Sequence, residues 1–381
     1  MLAKRPRWGL ILDALTPFLA VLAALLVGAV MLLLLNVNPI RAYGALIEGA
    51  FGSTNALADT VVKATPLLFV GLGICIAFRG GVINIGGEGQ FITGALLATA
   101  FALSVPELPG GVVIPISLLL GFVMGGLYGG IAGFLKAYFG VNEILSTVML
   151  NAIAVQAMNF LLRGPMIDPQ QFNAASRIPQ TARLPQAFDL PRLVPTRLHA
   201  GALIAVILAV LVYIFLWRTT IGYRIRAVGL NQEASRYAGI NTKKYIVLSL
   251  ALSGAFAGLG GAVQVLGLNH RMITDGSATG FTGSAGFNGI VAALFGQLHP
   301  LGAIPASFFF GALLVGANSM QRAVQVPAAL ITALNGLVVV FVVSSDLWRR
   351  RRARRRQLAE VAETTTPAAP AVSPLEAVND K

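Results

Sequence analysis

Residues 80–90 read Gly-Gly-Val-Ile-Asn-Ile-Gly-Gly-Glu-Gly-Gln and interrupt a strongly apolar sequence. Asn84, Glu88 and Gln90 lie here among five glycines, and the flanking runs 61–78 and 91–103 are apolar. Such a glycine-rich backbone is expected to be a poor helix, and a non-helical backbone at membrane depth survives only where protein or a water-filled cavity covers it. The pattern predicts that these three polar side chains line or brace a transport path. The alternative is a tight turn at the membrane edge, with Glu88 in water.

Composition places the chain among polytopic membrane proteins of the all-α class. Hydrophobic residues make up 56% of its 381 residues and charged residues only 11%, against roughly a quarter in soluble domains. The formal charge is +13, and residues 349–356, after the last apolar run, contain seven arginines. A basic patch beside a final span fits the positive-inside rule and contact with anionic membrane lipid, so a nucleic-acid partner is not expected.

The apolar runs predict a transmembrane helical bundle of about ten spans with both termini in the cytoplasm. The run 287–297 has about half the ~20 residues that cross a bilayer, so broken or short segments are expected near 80–90 and 280–302. Interrupted segments at corresponding positions of two halves point to a substrate path. A permease-like membrane domain would cover 1–348, with a cytoplasmic loop at 218–244, and a basic, then disordered, tail would cover 349–381. The expected spans are 9–35, 61–78, 86–105, 111–135, 141–162, 199–217, 245–268, 287–297, 303–320 and 326–344.

Two further features concern packing and sidedness. Small residues recur every four positions in two spans, which places them on one helical face and predicts close helix packing. Residues 163–198 form the longest polar interruption and are expected outside the membrane, yet they hold five arginines against two aspartates. This excess opposes the positive-inside rule. The small residues are Gly121, Gly125, Gly129 and Gly133, and Gly254, Gly258 and Ala262.

The sequence offers no catalytic constellation, so the chain is not expected to be an enzyme or to need a cofactor. It contains no Gly-Lys dipeptide, which a phosphate-binding P-loop requires. Cys75 is the only cysteine, and the three histidines are scattered, so no metal site is expected. Glu143, which opens the fifth span, is a second candidate for the transport path. Its alternative role is to fix helix packing.

A short self-capped helix is predicted at 231–239, within the cytoplasmic loop. The first residue can cap the first turn, the acidic residue suits the positive helix end, the basic residue suits the negative end, and the final glycine can terminate the helix. Two alanines four residues apart give one close-approach face. The helix is interpreted as a docking element, with an ordinary surface helix as the alternative. The residues concerned are Asn231, Glu233, Ala234, Arg236, Ala238 and Gly239.

Three segments together resemble the ABC-transporter permeases of the branched-chain amino acid, ribose and nucleoside group, specifically the nucleoside-type branch. They are 78–90, 142–151 and 226–240, and the resemblance runs from about Ala42 to Ser345. It implies an importer subunit of the bacterial cytoplasmic (inner) membrane that works with a cytoplasmic ATPase, a second related permease and an extracytoplasmic substrate-binding protein. The helix at 231–239 would be the coupling helix. A nucleoside is the expected cargo. The alternatives are a simple sugar such as ribose, an ion-coupled secondary transporter and a channel.

Overall fold

Helix follows helix along the chain in the computed structural model, which describes residues 7–173 and 177–327 and scattered positions between 330 and 344. The π-helical turn Val265–Asn269 extends α10, and two short 3-10 turns lie at Pro169–Asn173 and Gln186–Phe188. The helices are α1 (Arg7–Leu34), α2 (Pro39–Phe51), α3 (Thr54–Arg79), α4 (Gly87–Ser104), α5 (Gly110–Phe139), α6 (Glu143–Arg163), α7 (Gly201–Arg218), α8 (Thr220–Leu230), α9 (Gln232–Tyr237), α10 (Thr242–Gln264), α11 (Ala278–Thr282), α12 (Ala285–Phe295) and α13 (Pro300–Val324).

Glycine faces hold α5 and α10 together at the centre of the bundle. A Cβ placed on Gly125 would lie 2.3 Å from the carbonyl oxygen of Gly254, and one on Gly258 would lie 2.3 Å from that of Gly121. No side chain fits at these positions, so the two backbones are in direct contact. The packing faces predicted from the four-residue spacing are therefore confirmed.

Six described helices are long and apolar enough to cross a membrane: α3, α5, α6, α7, α10 with its π turn, and α13. Of the other expected spans, α4 has 18 residues and is mostly buried, and α12 has only 11, as the short run at 287–297 predicted. The expected final span, 326–344, is described only in part, at scattered positions. The architecture is an all-α polytopic bundle, and the count of ten spans stays a prediction.

Two helices lie where the sequence analysis expected none. Residues 36–60 hold α2 and the first turns of α3. The Asn38 side chain accepts hydrogen bonds from the backbone N–H groups of Ile40 and Arg41, and Pro39 occupies the first turn. An Asn-Pro pair is a recognised start signal for a helix, because asparagine caps and proline tolerates the first position. The second unexpected helix, α8, is capped by Thr219, whose hydroxyl accepts from the N–H of Gly222 at 3.1 Å.

The described residues of the segment 163–198 pack over one end of the bundle. Its backbone is bonded to the turn after α10: the N–H of Leu184 donates to the His270 carbonyl at 2.8 Å, and that of Leu190 to the Leu266 carbonyl at 3.0 Å. These bonds satisfy backbone groups of a segment that has no long helix of its own. The loop is consequently a packed cover.

Candidate functional site

Residues 80–86 form the expected break between α3 and α4, but the break is shorter than the sequence suggested. α4 begins at Gly87, so Glu88 and Gln90 lie on its first turn. The expectation that glycines would prevent a helix here was wrong because the glycines permit close packing. A Cβ on Gly89 would lie 3.0 Å from the Asn151 Cα.

The polar side chains of the break bond to one another inside the protein. The Asn84 amide nitrogen donates to Gln90 Oε1 and to Ser253 Oγ of α10, both at 2.8 Å. The Gln90 amide nitrogen donates back to Asn84 Oδ1 at 3.1 Å, and the Gly86 N–H donates to the same oxygen at 2.8 Å. This network fixes the break against α10, since a buried amide without partners would destabilise the fold.

Side chains of helix α6 form hydrogen bonds with backbone groups of the break and of the first turn of α4. The Asn151 side chain accepts from the Gly89 N–H at 2.8 Å and donates to the Ile85 carbonyl at 2.9 Å. Thr147 Oγ1 accepts from the Ile85 N–H at 3.3 Å. The segments 78–90 and 142–151, which carry much of the resemblance, are thus two sides of one structure.

Glu88 joins the two broken segments. Its Oε1 accepts the backbone N–H of Phe287 in the first turn of α12 at 3.2 Å. α12 has no cap of its own, because Ser284 sits in the left-handed region (φ +62°) and makes no side-chain capping bond. A Cβ on Gly286 would lie 2.4 Å from the Glu88 backbone nitrogen. A carboxylate from α4 therefore caps α12, where the helix end attracts negative charge.

Asn84, Glu88 and Gln90 are each 1% exposed. In this conformation they lie in the protein interior, so their positions support the bracing role. Glu143 lies apart from them, at the start of α6, where its Oε2 is 2.8 Å from the Lys136 ammonium of α5. That ion pair ties two neighbouring helix ends, which agrees with the packing alternative. Whether any of these four residues meets cargo remains a prediction.

After the C-terminal end of α7, residues 219–241 fold into α8, α9 and the turn before α10. α9 covers Gln232–Tyr237, and Asn231 Oδ1 accepts the Ala234 N–H at 3.0 Å. Glu233 occupies the first turn and Arg236 the last, and Gly239 takes φ +76°. The self-capped helix predicted at 231–239 is confirmed, and Ala234 and Ala238 are both exposed on it.

The sequence analysis did not single out two large side chains, one at the end of α9 and one just before its cap. Tyr237 is 94% exposed and Leu230 is 88% exposed. Large apolar residues in an otherwise polar loop were the signal that could have identified them. Ser235, by contrast, is buried and faces the protein. Two large side chains in or next to α9 are therefore left uncovered by the described residues.

The loop that carries α9 contacts the break directly. A Cβ on Gly229, two residues before the α9 cap, would lie 2.0 Å from the Arg79 carbonyl oxygen. Gly81, at φ +73°, would place a Cβ 2.8 Å from the Gly229 Cα. The backbones of α8 and of residues 79–81 are therefore in direct contact, with no room for a side chain between them.

A cluster around Trp217 lies at the end of the bundle where α3 and α7 terminate. The guanidinium carbons of Arg79 and Arg226 lie 5.3 and 5.5 Å from the ring centroid, and His299 packs on the ring at 5.1 Å. Arg226 Nε also donates to the Leu216 carbonyl at 3.0 Å. Burial, followed by the charge of Arg79, lowers the pKa of His299. The cluster joins the ends of α3 and α7 to α8 and to the turn before α13.

Among the described residues, no group of three or more His, Cys, Asp or Glu side chains is placed to hold a metal ion.

Comparison with known proteins agrees with this geometry. A family described as "Branched-chain amino acid transport system / permease component" matches residues 56–343. The chain belongs to this permease family. The permease is 36% identical to a glucose ABC transporter permease protein of Haloferax volcanii over 88% of this chain and 89% of the relative. It is 35% identical to a guanosine ABC transporter permease protein of Bacillus subtilis (87% and 93%) and 31% identical to a nucleoside ABC transporter permease protein of Lactococcus lactis (86% and 90%). No solved structure matches.

The permease is therefore a non-catalytic transport subunit of the inner membrane. ATP is hydrolysed by a separate ATPase subunit, and a binding protein is a further partner of such permeases. The resemblance seen in the sequence is confirmed, and the buried break at 80–90 and the loop at 219–241 belong to the matched region.

Proposed function

We propose that the permease translocates nucleosides into the cell and that α9 couples this movement to the ATPase. The nucleoside assignment is supported by the relatives of B. subtilis and L. lactis, whose names specify guanosine and nucleosides. A sugar is the second candidate, because the H. volcanii relative is named for glucose.

A second, related permease is proposed to complete the membrane unit. Two different guanosine permease proteins of B. subtilis match this chain, one at 35% and one at 31% identity. Two similar permeases for one cargo in one organism support a heterodimer. An exposed apolar face on α5 offers surface for such a partner or for lipid.

The observation that carries the coupling proposal is the exposure of α9. Tyr237 in this self-capped helix and Leu230 just before its cap are both almost fully exposed. An exposed aromatic anchor beside small residues suits insertion into a groove of a partner protein. The cytoplasmic ATPase is the partner on that side.

A route from α9 to the break follows from the contacts. Movement of α9 carries Gly229, which lies against residues 79–81, and these lead into Asn84 and Glu88. Glu88 in turn holds the first turn of α12. We infer that nucleotide-driven movement of the ATPase changes the position of α12 relative to α4.

Ala234→Arg tests the coupling role. The side chain of Ala234 is exposed, so an arginine there is compatible with folding but would prevent close approach of a groove. Copurification of the ATPase and nucleoside uptake should both fall at least about tenfold, since a buried unmatched charge costs several kcal/mol. Gln232→Ala is the control. Gln232 lies in the same helix, two residues before Ala234, and this variant should stay close to wild type. A well-expressed Ala234→Arg protein with normal ATPase binding and normal uptake would refute the docking role.

The cargo is tested by competition. Uptake of labelled uridine or adenosine should be suppressed by other unlabelled nucleosides and not by ribose or glucose. Suppression by the sugars alone would transfer the proposal to the sugar branch.

A further inference from the structure

A cavity lies at the end of the bundle opposite α9, beneath the 163–198 loop. Its volume is about 760 Å³. Its lining comes from α3, the 163–198 loop, the segment after α10, and α13. We call it the basic vestibule because its lining includes six cations and one carboxylate: Lys63, Arg183, Arg192, Arg197, Arg271, Arg322 and Asp59.

These cations are mostly exposed and are not neutralised within the described part of the chain. Lys63, Arg183, Arg192 and Arg197 have no carboxylate within salt-bridge distance there, and Arg271 donates only to Gln180 Oε1 at 3.2 Å. Like charges that converge from four chain segments repel one another and reduce stability. Their placement indicates an external source of negative charge.

The position of the vestibule argues against lipid as that source. Two of its walls come from α3 and from the end of α10, the spans with the largest buried shares. The vestibule therefore opens over the middle of the bundle, away from the lipid-facing faces of α5 and α7. A neutral nucleoside, the proposed cargo, gains nothing from six cations.

We propose that the basic vestibule is the docking surface for an acidic patch on the extracytoplasmic binding protein. A protein surface can supply several carboxylates at once, and it can span an opening framed by a loop and two helix ends. Complementary charge also speeds encounter and fixes orientation. The proposal explains why the 163–198 loop opposes the positive-inside rule: its arginines serve a partner on the outer side.

The inference rests on the proposed function only in requiring a binding protein, so its test uses neither nucleoside nor ATP. The assembled transporter in lipid nanodiscs is titrated with its purified binding protein. Between 50 and 300 mM NaCl the Kd should weaken at least about tenfold, because exposed charges are screened.

The double variant Arg192→Glu with Arg197→Glu reverses two charges on the loop side. It should weaken Kd at least about tenfold at low salt and reduce the salt dependence. Lys63→Glu with Arg322→Glu reverses two charges on the helix side and should act in the same direction. Arg163→Glu is the matched control: it is an exposed arginine at the start of the same loop, outside the vestibule, and should change Kd less than about twofold.

Three results would overturn the proposal. One is unchanged binding-protein affinity in both double variants while they fold and keep ATPase activity. Another is an equal loss of affinity in Arg163→Glu, which would make the effect one of overall charge. The last is unchanged docking together with lost binding of uridine monophosphate, used as the small-anion probe, which would make the vestibule a solute site. Failure of nucleoside uptake by the wild type would refute the proposed cargo. The Kd for the binding protein would still test the docking proposal.

Discussion

Replacing Glu88 should release α12 from α4. Its carboxylate is 1% exposed and accepts the Phe287 N–H, and Ser284 supplies no cap. In Glu88→Ala that buried donor loses its partner, which costs about 1–3 kcal/mol, and the cavity left by the side chain adds to this. A loss of ~2 kcal/mol corresponds to a roughly thirtyfold larger fraction of molecules with α12 undocked.

Glu88→Gln is the matched control. Glutamine keeps the volume and an oxygen that can accept from Phe287, and the second oxygen, Oε2, has no hydrogen-bond partner among the described residues. We expect Glu88→Gln to lose less than ~1 kcal/mol and to retain most uptake, while Glu88→Ala should lose most of it.

Thiol labelling measures the release of α12 from α4 directly. Cys75 is the only cysteine and is buried, so Cys75→Ala gives a cysteine-free background. A cysteine introduced at Ala285, which is 2% exposed in α12, should react slowly with a maleimide in wild type and in Glu88→Gln, and much faster in Glu88→Ala. If Glu88→Ala assembles, imports at the normal rate and leaves position 285 unreactive, the joining role fails and Glu88 is only part of a turn.

Three other predictions concern packing, acidity and sidedness. Gly258→Leu should abolish the folded monodisperse peak in detergent, because its backbone contacts α5, whereas Gly130→Ala, with its nearest neighbour at 3.7 Å, should be tolerated; a stable Gly258→Leu protein would contradict the α5–α10 contact. Burial lowers the pKa of His199 to about 4 from 6.5, so the unfolded chain binds more protons between these values and thermal stability should fall as pH drops from 6.5 to 4. His199→Gln should flatten that pH profile, and an unchanged slope would refute the assignment. A cysteine at Gln232 should be labelled only from the cytoplasmic side, and labelling from outside intact cells would overturn the ten-span arrangement with cytoplasmic termini.

Local patterns in the sequence were enough to predict α9 and the close-packing faces of α5 and α10, but not that these two faces contact each other. A cap, two charged residues and a terminating glycine lie within nine positions, and small residues every four positions define a helix face by geometry alone. Asn38 and Thr219 show that similar signals started α2 and α8, where the sequence analysis did not use them.

The contacts that make the site required the fold. Phe287 lies 199 residues from Glu88, and no local pattern relates them. The sequence analysis did note interrupted segments near 80–90 and 280–302, but their direct contact depends on how the helices pack. Gly87 and Gly89 were misread for the same reason: propensity counts glycine as a helix breaker, while close neighbours in α12 and α6 make it necessary here.

The most direct test of the central claim is nucleoside uptake driven by ATP enclosed in vesicles. The permease is reconstituted into vesicles with its ATPase, second permease and binding protein, ion gradients are collapsed with ionophores, and labelled nucleoside is added outside. We predict accumulation that requires ATP in the lumen and stops with a non-hydrolysable analogue. Accumulation without ATP, driven by an imposed ion gradient, would contradict the account and identify a secondary transporter; ATP-independent equilibration without accumulation would identify a channel.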